Sequence, residues 1–215
     1  MTYVLVRTAI WLALRCLFPL FGGLRIIGRD QVPRKGGVII AANHISDCDP
    51  AAIGMALPRR CWFMAKQELF EMPLVGWVVR TMHGLPVRRW TADHAALQRS
   101  IALLKSGQAL VVFPEGKISE DGYLQPFSPG VMLLAAYSGA PIVPALVLGT
   151  DGIMPYGKTR PQRSHGPAIV EFGAPCTLDS LAPASRGAER YRAAAEALRD
   201  VLIQMGGRVP ADDAQ

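Results

Sequence analysis

Apolar and polar positions alternate along this chain in blocks of two kinds. Seven short apolar runs, at residues 24–27, 38–42, 61–64, 85–87, 109–113, 142–148 and 168–172, have the length and composition of buried strands. Between them lie stretches with helical spacing, at 50–56, 67–82, 92–105 and 130–138. A last helix is expected over 188–205, with Tyr191, Leu198, Val201 and Leu202 on its apolar face. Strand and helix in turn predict an α/β fold, a central mostly parallel sheet flanked by helices, in one domain over residues 24–209. Pro, Gly and Ser punctuate 152–167, which reads as a long surface loop, and the polar tail 210–215 reads as disordered.

Residues 1–23 break this alternation, being almost continuously apolar. Arg7 and Arg15 interrupt the run, so no uncharged span reaches the roughly 20 residues that cross a bilayer. On a helix the two arginines lie about 80° apart and share a polar edge, leaving Trp11, Leu14 and Phe18 to enter the lipid boundary. Pro19 and Gly22-Gly23 end the segment, and no small-residue cleavage site follows it. An uncleaved amphipathic membrane anchor is the expectation; a helix packed on the domain is the alternative.

Composition supports a lipid surface. Half of the residues are hydrophobic, 19% are charged and the net charge is +6. No interleaving of aromatic and basic residues suggests nucleic acid, so an anionic membrane, at the cytoplasmic face, is the expected partner. Cys16, Cys48, Cys61 and Cys176 lack CxxC spacing, and His83, His94 and His165 lack ligand spacing with His44. Neither a disulfide framework nor a metal site is expected.

Three turns that follow predicted strands carry the candidate chemistry. The first is Asn43-His44-Ile45-Ser46-Asp47-Cys48-Asp49-Pro50. His44 and Asp49 point about 140° apart on a helix, so only a turn can bring the carboxylate to the imidazole. Paired in that way, the carboxylate fixes the tautomer and leaves the other nitrogen to take a proton. The bland reading is that Asp49 caps the helix that opens at Pro50. The second turn is Pro86-Val87-Arg88-Arg89, an arginine pair suited to anions. The third is Phe113-Pro114-Glu115-Gly116-Lys117-Ile118-Ser119. Backbone amides freed by Gly116, with Lys117 and Ser119, suit a phosphate, while Glu115 suits an arginine or a substrate hydroxyl better.

Taken in order, these blocks resemble the glycerolipid acyltransferases, specifically the 1-acylglycerol-3-phosphate (lysophosphatidate) acyltransferases. The N-H-x-S-x-x-D block is matched by Asn43, His44, Ser46 and Asp49, the arginine block by Arg89, and F-P-E-G by Phe113 to Gly116. A Val-Pro turn follows at Val143-Pro144, and connecting residues such as Lys66 also fit. The resemblance implies acyl transfer from acyl-CoA or acyl carrier protein to the sn-2 hydroxyl of lysophosphatidate, giving phosphatidate, with no cofactor. It implies His44 as general base oriented by Asp49, and Arg89, Glu115, Gly116, Lys117 and Ser119 around the phosphate. Asn43, Ser46, Lys66, Pro114 and Pro144 are implied as supports. Asp47, Arg88 and Lys117-Ile118 depart from the common pattern and leave other acceptors open, among them another lysophospholipid or a lyso-ornithine lipid. A membrane lipid-binding protein without catalysis is the reading from another class.

Overall fold

The computed structural model describes the backbone of residues 2–88 and 93–210, and the side chains of 8–16, 18–88 and 93–210. Seven strands form one sheet: β1 (Leu24–Ile27), β2 (Val38–Ala42), β3 (Cys61–Lys66), β4 (Gly84–Val87), β5 (Ala109–Val112), β6 (Ile142–Leu148) and β7 (Ala168–Phe172). Their order across the sheet is β1-β7-β6-β2-β5-β3-β4. The five strands from β6 to β4 run parallel, and β7 turns antiparallel to β6 with β1 parallel to it. The sheet is therefore mostly parallel, as the alternating pattern predicts.

β2 lies at the centre and is buried along its whole length. Its even residues Val38, Ile40 and Ala42 belong to one core and its odd residues Ile39 and Ala41 to the other, the two-residue period of a strand covered on both faces. The first core is closed by α1 (Thr2–Leu17) and α2 (Asp49–Ala56). The second is closed by α4 (His94–Lys105), α5 (Gly130–Ser138) and α7 (Gly187–Gln204). α3 (Pro73–Thr81) precedes β4, and the short α6 (Leu178–Leu181), absent from the sequence reading, is held by a Thr177–Ser180 capping box.

Two expectations need correction. Residues 67–82 form no single helix: a 3-10 turn at Gln67–Phe70 stops, Met72 is extended (ψ 122), and α3 starts afresh at Pro73. The physical cause is the proline, whose ring disfavours the helical region for the residue before it. The second correction concerns α1. Phe18 is buried, and Trp11 and Leu14 pack against the first core rather than facing outward. The indole of Trp11 sits over Gly54 of α2, where an added Cβ would lie 2.1 Å from the ring. Among the described residues of this segment the large exposed apolar side chains are instead Leu12 and Leu20. Among the described residues no helix is long and apolar enough to cross a membrane.

Candidate active site

In the sheet, β2 and β5 are neighbours and run the same way, so the turns leaving them meet at one edge. A side chain replaces the missing strand pairing after β2, and a backbone bond joins that turn to the one after β5. Asn43 extends the ladder beyond β2: its Nδ2 donates to the Val147 carbonyl at 2.9 Å, and its Oδ1 accepts from the Val147 amide at 2.7 Å. Ser119 N donates to the His44 carbonyl at 2.7 Å, joining the first turn to the third.

Asp49 is fully buried and is the point on which the turn closes. Its Oδ2 accepts from the Ile45 amide at 2.7 Å and the Ser46 amide at 2.9 Å, and lies 2.8 Å from His44 Nδ1. Its Oδ1 accepts from Thr150 Oγ1 at 2.5 Å. Every neighbour of this carboxylate is a donor, so Nδ1 carries the proton toward it and Nε2 is the acceptor nitrogen. Asp49 does not cap α2. The N-cap is Cys48, without a side-chain cap bond, and the carboxylate faces back toward the preceding turn. The five-residue spacing works because residues 44–48 turn before the helix begins. Phe113 stacks on the imidazole, with ring centroids 3.9 Å apart and an interplanar angle of 17°, which fixes its plane.

Glu115 is also buried. Its Oε1 accepts from the His44 amide at 3.1 Å, so this carboxyl holds the backbone of the histidine and not an arginine of the described chain. Burial pushes its pKa up to about 8, against the pull of the His44 and Gln125 amides and the charge of Arg199; Asp49 pushes it up further. Oε2 has no hydrogen-bond partner among the described residues. The Gly116 amide is not free for an anion, since it donates to the Phe113 carbonyl at 3.0 Å in a turn that Gly116 completes at φ 76. Ser119 Oγ is likewise engaged, 2.8 Å from Asp121 Oδ1 and 2.7 Å from the Tyr123 carbonyl. Lys117 is exposed.

Supporting residues fall around these groups. Ser46 Oγ donates to the Met154 carbonyl at 2.8 Å and accepts from the Cys48 amide, which ties the 152–167 loop to the site. Burial raises the Cys48 thiol to about 11, so it stays protonated beside His44. Pro114 is buried and its carbonyl accepts from Ser128. Pro144 pairs in register with Ala41, and its carbonyl accepts from Gly173 just past β7; the N–H it lacks ends that ladder. Lys66 lies 3.6 Å from Glu68 at the end of β3 and is half exposed. Arg89 lies outside the described residues. Thr150 escaped the sequence reading, because the single signal for it is its place two residues beyond β6, the parallel neighbour of β2.

A largely apolar cavity of about 510 Å³ opens beside the site, walled by Phe113, Pro114, Glu115 and Gly116 on one side and by Leu97, Val131 and Leu134 on another. Its size and lining suit a ligand with an apolar body.

The chain as a whole is similar to several known proteins. A sequence model described as Acyltransferase matches residues 23–148. The 1-acyl-sn-glycerol-3-phosphate acyltransferase of Bacillus subtilis is 32% identical over 139 residues, 64% of this chain and 68% of that protein. The protein of the same name from Saccharomyces cerevisiae is 29% identical, over 91% of this chain and 67% of its own length. A chloroplastic counterpart from Brassica napus is 35% identical, but the match spans only 35% of its length. The crystal structure of the 1-acyl-sn-glycerophosphate acyltransferase of Thermotoga maritima superposes with a TM-score of 0.72, covering 95% of this chain and 83% of that one. At 24% identity that likeness carries the fold.

Proposed function

We propose, from the premise that this chain belongs to the acyltransferase family, that it moves a fatty acyl group from an acyl thioester to the sn-2 hydroxyl of 1-acyl-glycerol-3-phosphate, giving phosphatidate. The observation that carries the reading is the His44–Asp49 pair, with Nδ1 committed to a buried carboxylate and Nε2 left to accept a proton. The names of the relatives supply the acceptor.

In this mechanism the acceptor hydroxyl gives its proton to His44 Nε2 as its oxygen attacks the thioester carbonyl. The tetrahedral oxyanion then collapses, the carbon–sulfur bond breaks, and the departing thiolate takes the proton back from the imidazolium. Asp49 holds the ring and stabilises its transient charge. The cycle needs no covalent acyl-enzyme, and the two candidate nucleophiles of the turn agree with that: the Cys48 thiol is protonated and the Ser46 hydroxyl is occupied by the Met154 carbonyl. The cavity beside Glu115 takes an acyl chain. The phosphate is assigned to Lys117 and Arg89, while Glu115, Gly116 and Ser119 build the turn that carries Lys117.

Membrane association belongs to the same reading. Leu12 on α1 and Leu20 in the turn after it, with Met72 just before α3 and Leu74 and Trp77 on it, are exposed apolar side chains, and α1 and α3 touch each other. Such a surface suits an enzyme that draws both the acceptor and the acyl chain from a bilayer.

The test is product analysis by mass spectrometry with purified protein, isotope-labelled acyl-CoA or acyl carrier protein thioesters, and a panel of lysolipids. Labelled phosphatidate from at least one donor is expected. If neither thioester yields it while another lysolipid is acylated, the acceptor assignment fails; if no lysolipid is acylated, the enzymatic reading fails.

A further inference from the structure

We infer that this chain carries a second anion site, for a phosphate group on a lipid headgroup or a soluble ester, in the cleft between α1 and the start of β3. The cleft measures about 230 Å³, and its lining includes Trp11, Arg15, Arg29, Arg59, Arg60 and His83. Topology sets it apart from the site above. Arg59 and Arg60 precede the first residue of β3, and His83 precedes β4, whereas His44 follows the last residues of β2, which runs in the same direction. The cleft therefore lies at the opposite end of the parallel strands.

Four guanidinium groups line this cleft and no carboxylate does. Like charges gathered in one concavity repel, and an entering anion relieves that repulsion. The arginines have different parts. Arg59 spends three of its five donors on the carbonyls of Pro33, Gly36 and Gly107, at 3.0, 2.7 and 2.5 Å, so it braces the loops as well as adding charge. Arg29 spends one donor on the Leu57 carbonyl at 3.1 Å. Arg15 and Arg60 are exposed, and neither has an ion-pair or hydrogen-bond partner among the described residues. Their planar forks match phosphate oxygens.

His83, whose ring packs tilted on Trp62 with centroids 4.7 Å apart, also shapes the wall of the cleft. His83 has φ 64, and it is the one non-glycine with positive φ among the described residues. It stands just past the end of α3, a position where glycine is the usual occupant and a larger residue costs about 1 kcal/mol. A histidine held there against that cost puts an imidazole on the wall of the cleft. The volume is below the roughly 300–1,000 Å³ of pockets for larger ligands, so it admits a headgroup or a small ester and not an acyl chain.

The test uses the full chain and two probes. The first is phosphatidylcholine vesicles with and without phosphatidylglycerol. Arg15→Gln with Arg60→Gln is compared with Lys158→Gln plus Arg160→Gln, which removes equal charge from the 152–167 loop. The cleft pair is expected to weaken binding to the anionic vesicles about tenfold more than the loop pair, the scale of one charge-assisted contact. The second probe is inorganic phosphate or glycerol 3-phosphate, read by tryptophan fluorescence against a Trp11→Phe blank. A saturable change that the cleft pair abolishes assigns the phosphate to a soluble ester; a vesicle effect alone assigns it to a headgroup. Equal losses for both pairs, together with no saturable response to either soluble anion, overturn the site. Unchanged melting temperatures and unchanged transfer from detergent-dispersed substrates separate a loss of binding from unfolding and from failure of the acyl-transfer reading.

Discussion

His44 illustrates how much a single residue's role depends on what its neighbours accept. Asp49 takes donors from two amides, Thr150 and the imidazole, so it contributes direction as well as charge. Replacing His44 by Ala is expected to lower kcat/KM by about 10²–10⁴, the usual worth of a positioned base, with the melting temperature shifted far less than activity. Asp49→Asn is expected to cost at least about 10² in kcat and also some stability, because an amide has one acceptor oxygen where the carboxylate accepts at two. Comparable turnover by either variant in a steady-state thioester assay would falsify the base assignment. Glu115 makes a separate prediction. Its pKa rises from an ordinary carboxyl value to about 8 on folding, so the native state binds the extra proton. Stability is therefore fully present below the unfolded pKa near 4.5 and falls as pH rises toward 8, with a slope of up to about 1.4 kcal/mol per pH unit. Glu115→Gln is expected to flatten that part of the profile; denaturant titrations between these limits decide it, and an equally steep slope in the variant rules the assignment out.

At the scale of elements, the turns after β2 and β5 were readable because their residue types are unusual together. Their hydrogen bonds were not. A glycine at 116 suggests an amide free for phosphate, yet turn closure onto Phe113 consumes it. Ser119 was a candidate ligand, and its hydroxyl is spent within the 119–123 turn. Helical spacing over 67–82 is broken by a local cause, Pro73, whereas the facing of α1 is set by a tertiary one. Nothing in the α1 sequence announces that Gly54 leaves a seat for Trp11. That contact gives a test with a sign opposite to propensity. Glycine to alanine within a helix ordinarily stabilises by about 1 kcal/mol, but Gly54→Ala is expected to destabilise by about 1–3 kcal/mol, because the methyl meets the indole. Adding Trp11→Ala should return part of that loss. Additive effects of the two changes in chemical denaturation would contradict the seat.

For the whole molecule, the same exposed patch that suits a bilayer also predicts how the protein partitions. Leu74 is 75% and Trp77 43% exposed on α3, and Leu12 57% and Leu20 63% exposed at the N-terminal segment. Leu74→Ser with Trp77→Ser is expected to weaken vesicle binding by about tenfold even at high salt, where the contribution of the +6 net charge is screened. Vesicle flotation across a salt series reads this directly, and a loss confined to low salt would show that charge alone holds the protein to lipid.

The sequence by itself determined the strands, nearly to the residue, and the mostly parallel sheet, because burial on both faces leaves short continuous apolar runs that little else in a chain imitates. It also singled out the turns after β2 and β5, whose His, Asp and Glu are unusual together at the ends of buried strands. Only the tertiary structure decided their partners. Thr150 meets Asp49 across 101 residues of chain, Asn43 meets Val147 across 104, and Glu115 meets the His44 amide across 71. Strand order fixes those meetings, and strand order is a property of how the whole sheet closes, which no local period records.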